Sequence, residues 1–167
     1  MNLDAFLLHH GIRAERVEHP AVMTVEESER LVPPLPGAKT KNLFLRDKKG
    51  ALFLVTALED AAIELKSLHR RLGATGRFSF GSADLMMETL GVTPGAVTPF
   101  GAINDTTQRV AVVLDSALME HAVINAHPLT NTMTTSIARD DLVKFLESTG
   151  HPPRIVGVEG PYLGPES

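Results

Sequence analysis

Two short apolar runs, Leu43-Phe44-Leu45 and Ala51-Leu52-Phe53-Leu54-Val55, flank Asp47-Lys48-Lys49-Gly50, and they limit the possible folds more than any other stretch. Short apolar runs separated by turn-forming residues predict the two strands of a hairpin, joined here by a turn of several residues. Neither run alternates polar with apolar side chains, so both faces of each strand are buried and the hairpin lies in the middle of a sheet. Such a hairpin needs a covering layer on each side.

The rest of the chain supplies candidates. Asn2 caps a first helix whose Leu3, Phe6 and Leu7 share one face, and Gly11 stops it. A strand over residues 14–18 runs into His19-Pro20. Thr24, with Glu27 three residues on, forms a capping box for a second helix, which Pro33-Pro34-Leu35-Pro36-Gly37 ends. Ile63 and Leu65 read as a short strand before a helix over 66–72 closed by Gly73. Phe78 to Phe80 is a strand, and Ser82 caps a helix that runs to Leu90 and stops at Gly91. Residues 91–101 are too rich in Gly and Pro for regular structure and read as an ordered loop, with Ile103-Asn104-Asp105 as a turn. Strands follow over 110–114, 122–125 and 132–137. Asp140 opens a last helix with Leu142, Val143, Phe145 and Leu146 inward and Gly150 at its end, and residues 155–158 read as an edge strand. Strands and helices mix without βαβ alternation, which predicts an α/β fold of the mixed α+β kind: one mixed, partly curled sheet surrounded by helices, and not a doubly wound one. At 167 residues the whole chain, 1–167, reads as a single domain.

The residue inventory narrows the chemistry. With no cysteine there is no thiolate nucleophile, disulfide or cysteine-ligated zinc, so reactive groups must be oxygen, imidazole or amine. Neither a phosphate-binding GxxxxGK[ST] loop nor a GxSxG elbow occurs. The seven histidines form no helical metal-ligand pair, so no metal is expected. No apolar run reaches the length of a membrane span, and Met1-Asn2-Leu3-Asp4 lacks a basic secretory flank, so a cytoplasmic protein is expected. The net charge of -4 conceals a division: residues 39–77 carry nine basic side chains against four acidic ones. That segment is a solvated face or a phosphate-facing patch, and a patch would lose affinity as salt rises.

Three stretches in series carry a resemblance: Lys39-Thr40-Lys41-Asn42-Leu43-Phe44-Leu45-Arg46-Asp47, then residues 91–105 with the embedded Gly95-x-x-x-Pro99, then Asn125-Ala126-His127-Pro128-Leu129-Thr130-Asn131-Thr132. Together, and in this order, they resemble the YbaK-type aminoacyl-tRNA deacylase family, in its stand-alone branch related to the editing insertion of bacterial prolyl-tRNA synthetase. The similarity runs from about residue 6 to 158. It implies the YbaK-type mixed fold and hydrolysis, without metal or cofactor, of the ester between an amino acid and the terminal adenosine of tRNA. In this branch the substrate implied is alanine on tRNA for proline, with cysteine on the same tRNA, or a non-catalytic tRNA-binding module, as the alternatives. The partner implied is the acceptor end of mischarged tRNA, with prolyl-tRNA synthetase or an elongation factor beside it.

Lys41 alone reads as a solvated strand-end lysine; its match to the family's essential lysine makes it the catalytic candidate, holding a phosphate or polarising the ester carbonyl. Lys39 would share its face if the strand begins early enough. Asn42 is a turn-former or a substrate ligand, and in a regular strand it points away from Lys41. Gly95 and Pro99 make an ordinary turn or, by resemblance, bring backbone close to the ester. His127, held extended by Pro128, is a structural histidine or a pocket residue that orients substrate or water. Arg77 is a surface charge or an RNA contact, and Asn131, Thr130, Asn104 and Asp105 line the pocket or form turns. Phe44, Val97, Phe100 and Met133 are pocket walls or core. A proline-sized synthetic site cannot exclude alanine by sterics; a second cavity too small for the proline ring can hydrolyse the error and spare the product.

Overall fold

The computed structural model describes residues 2–21 and 24–164; the end of the Gly-Pro-Ser tail lies outside them. Chain order is α1 (Leu3–His9), β1 (Ala14–Glu18), α2 (Val25–Leu31), β2 (Thr40–Arg46), β3 (Leu52–Leu58), α3 (Leu65–Leu72), β4 (Ser79–Phe80), α4 (Ala83–Leu90), β5 (Val110–Asp115), β6 (Val123–Ala126), β7 (Met133–Ala138), α5 (Arg139–Ser148) and β8 (Arg154–Val156). The capping signals act as read: the Asn2 and Ser82 side chains accept from Ala5 N and Leu85 N, and Thr24 Oγ1 accepts from Glu27 N. Gly73 and Gly91 end α3 and α4 in the left-handed conformation.

The hairpin occupies the middle of a five-stranded sheet ordered β4-β2-β3-β5-β8, antiparallel at β2/β3 and parallel at β3/β5 and β5/β8. Its two faces feed different cores. Leu45, Phe53 and Val55 pack with Leu68 and Leu72 of α3, whereas Phe44, Leu52 and Leu54 pack with Met86 and Leu90 of α4. That is why neither strand alternates. The turn is held by Asp47, buried, whose Oδ1 accepts from Lys49 N and Ala51 N and whose Oδ2 accepts from Thr75 N.

Three expectations need correction. In place of one curled sheet there are two, the second being antiparallel β1-β7-β6. They are stitched just before β2, where Ala38 bridges Ile124 of β6 through two backbone hydrogen bonds with Val123 and Asn125. The strand read at Ile63 and Leu65 does not form: Leu65 opens α3, and Ile63 makes a single bridge to Gly160. The segment read as an irregular loop folds into two 3-10 turns, Pro94–Ala96 and Pro99–Asn104. A proline opens each, at the helix position where its missing N–H costs nothing. Asp105 is a buried strut that accepts from Arg109 N and Val110 N and pairs with His151 Nε2 at 2.8 Å.

Candidate active site

The seam between the sheets leaves a cavity of about 60 Å³, several times the volume that one ordered water needs by this measure. Thr40 and Asn42 of β2 form one wall, and Asn125 and Ala126 of β6 with His127 and Thr134 form the opposite one. Val32, Pro33 and Leu35, from the loop after α2, close the apolar side, and Lys39 and Glu59 border it with opposite charges. Thr40 Oγ1 donates to Asn125 O at 2.6 Å, fixing the two walls together.

Asn42 is clamped. Its Oδ1 accepts from Thr56 Oγ1 at 2.6 Å and its Nδ2 donates to Val97 O at 3.1 Å, so the residues between Gly95 and Pro99 are tied to the cavity wall. Gly95 is partly exposed and outside the left-handed region. Pro99 is buried with Phe100 behind that wall. Neither touches the cavity.

His127 Nδ1 lies 2.9 Å from Met133 O. A carbonyl can only accept, so Nδ1 carries the proton, and in the neutral ring Nε2 is left as an acceptor. Burial holds the His127 pKa below its ordinary value, opposed by the Met133 hydrogen bond and reinforced by His19. The His19 ring is 6.2 Å away, with Nδ1 on Pro20 O and Nε2 on Thr134 Oγ1, both at 2.8 Å.

Of the residues singled out in the sequence, the cavity gathers Asn42 and His127. β2 is regular, pairing Lys41 with Ala57 and Asn42 with Thr56, so alternation puts Lys41 on the other face, where its ammonium donates to Ala61 O. Lys39, ahead of the strand, is the lysine that reaches the lining. Arg77 is exposed near the far end of β2, where β4 pairs with Leu45 and Arg46. Asn131 and Thr130 lie half-buried in the β6–β7 turn, and Asn104 Nδ2 donates to Leu90 O. Phe44 and Phe100 are core, and Met133 contributes its carbonyl. Glu59, Thr40, Asn125 and Thr134 were missed: each reads as a strand or strand-end residue, and only the joining of two sheets brings them to one cavity. Among the described residues, no cluster of His, Asp and Glu could hold a metal ion.

Residues 19–145 match the family model described as aminoacyl-tRNA editing domain. The chain is 42% identical to prolyl-tRNA synthetase associated domain-containing protein 1 of Danio rerio, over 94% of this chain and 86% of the relative. It is 40% identical to prolyl-tRNA editing protein ProX of Acetoanaerobium sticklandii, over 81% of this chain and 82% of that protein. A solved structure described as a candidate trans-editing enzyme for prolyl tRNA synthetase shares the fold, with a TM-score of 0.67, 21% identity and coverage of 95% and 92% of the two chains.

Proposed function

This chain belongs to the aminoacyl-tRNA editing domain family, and we propose that it acts in trans on mischarged tRNA, hydrolysing the ester at the terminal adenosine, with alanine on tRNA for proline as its substrate. The observation that carries the proposal is the small cavity at the sheet seam, walled by Asn42 on one side and His127 on the other. A cavity of this size suits an alanyl methyl better than a proline ring, and size is what a second sieve must read, since one methylene is worth only about 1 to 3 kcal/mol in a first.

In the reaction, water adds to the ester carbonyl, the bond to the ribose oxygen breaks, that oxygen takes a proton, and the free amino acid leaves. Asn42, locked by Thr56 and Val97, gives the site a fixed wall. His127, neutral at pH 7, offers Nε2 to the incoming water or to a ribose hydroxyl. We assign Lys41, on the face of β2 away from the cavity, the negative charge of the terminal phosphate. Its ammonium is held by one backbone carbonyl, that of Ala61, two residues past Glu59, and a phosphate can replace that bond. Arg77 and its basic neighbours are read as contacts to the RNA backbone, with Asn131 and the turn between Gly95 and Pro99 supporting the walls. The whole chain is read as one editing domain needing no metal or cofactor, working in the compartment of its tRNA, the cytoplasm; no helix among the described residues is long and apolar enough to cross a membrane.

The test is a deacylation panel in which alanyl-, cysteinyl- and prolyl-tRNA for proline are each incubated with the protein. Loss of alanine with proline spared is expected. Preferential loss of cysteine would reassign the substrate, and binding without loss of any ester would make the protein a tRNA-binding module.

A further inference from the structure

Resting on the deacylase reading, we infer that Glu59 is a specificity-determining residue that recognises the α-ammonium group of the aminoacyl ester. Three side-chain acceptors on residues that line the cavity are engaged by no donor among the described residues. Glu59 is the carboxylate of its lining, half-buried, and no ion pair or side-chain hydrogen bond engages it among the described residues. Asn125 is 6% exposed, and its Oδ1 has no hydrogen-bond partner. His127 Nε2 is a third acceptor, because Nδ1 is committed to Met133 O.

An unpartnered buried acceptor carries a desolvation cost, so a site that leaves one is expected to receive a donor. A primary ammonium brings three N–H donors and a positive charge, and every aminoacyl ester carries one beside its carbonyl. The position of Glu59 is fixed by the backbone: Glu59 N donates to Lys39 O at 3.0 Å just beyond the β2–β3 ladder, which brings both residues to the cavity lining. Burial raises the Glu59 pKa, Lys39 lowers it, and Glu29 of α2 and Asp60 raise it. These neighbours leave the carboxylate ready to gain from an arriving cation. Glu29 and Asp60 are exposed and add long-range attraction. The pairing also separates charge along the substrate, with the ammonium at Glu59 and the phosphate at a lysine.

The test compares alanyl-tRNA with lactyl-tRNA, in which a hydroxyl replaces the ammonium with almost no change in size, using wild type and Glu59→Gln in single turnover. Wild type is expected to prefer the alanyl ester by about tenfold or more, the worth of one hydrogen bond to a charged group, and Glu59→Gln to bring that ratio close to one. A wild-type ratio near one overturns the inference without requiring any variant to fold. Equal slowing of both esters by Glu59→Gln, with the ratio kept, also overturns it, because a general base or a structural prop would act on both. If wild type cleaves neither ester, the deacylase reading fails and takes this inference with it.

Discussion

Two lysines near the start of β2 compete for the cationic role in the reaction. Lys41 is the one that the sequence resemblance selects, while Lys39 is the one that lines the cavity. The proposal predicts that Lys41→Ala slows single-turnover deacylation of alanyl-tRNA by about a hundredfold, the scale of removing one charge-stabilising donor, and that Lys39→Ala costs much less. The reverse order would transfer the cationic role to Lys39. His127 gives a pH dependence whose sign follows from its lowered pKa. In the unfolded chain the ring takes a proton near its ordinary value of 6.5, whereas the folded protein resists protonation until lower pH. Between those two values the unfolded state binds more protons, so stability falls as pH drops. Urea denaturation at pH 7.5 and at pH 5.5 is expected to show a larger acid loss for wild type than for His127→Gln.

Among the elements, the β2–β3 hairpin was the most legible, because its unbroken apolar runs have one explanation, burial on both faces, and α3 and α4 provide it. Helix boundaries were legible wherever a cap is local chemistry: Asn2, Thr24, Ser82, Gly73 and Gly91 each work through neighbours a few residues away. Ile63 and Leu65 misled because β-branched and apolar residues beside a helix start look the same in either state. The turn of the hairpin rests on Asp47, where burial raises the carboxyl pKa but the amides of Thr75, Ala51, Lys49 and Gly50 outweigh it and leave the value lowered. Asp47→Ala strands those amides and is expected to cost about 2 kcal/mol in urea-monitored unfolding at pH 7. The penalty should shrink in acid, since a lowered carboxylate pKa contributes stability above its unfolded value and loses it as pH falls through the folded one.

For the molecule as a whole, the division into two sheets was not legible, since the bridge at Ala38 that joins them pairs residues far apart in sequence. Asn42 and His127 could be named because each lies in a contiguous motif; Glu59, Asn125 and the wall at Val32, Pro33 and Leu35 become a site only once the sheets meet. On the proposed function, the aminoacyl end of the tRNA enters at that seam, between β2 and β6. The most direct measurement is backbone and side-chain NMR mapping with an alanyl-adenosine analogue whose ester is replaced by a hydrolysis-resistant amide. Shift changes are expected to concentrate at Thr40, Asn42, Glu59, Asn125 and His127. Changes confined to the basic end around Arg46, Lys48 and Arg77, with the seam unperturbed, would contradict that entry.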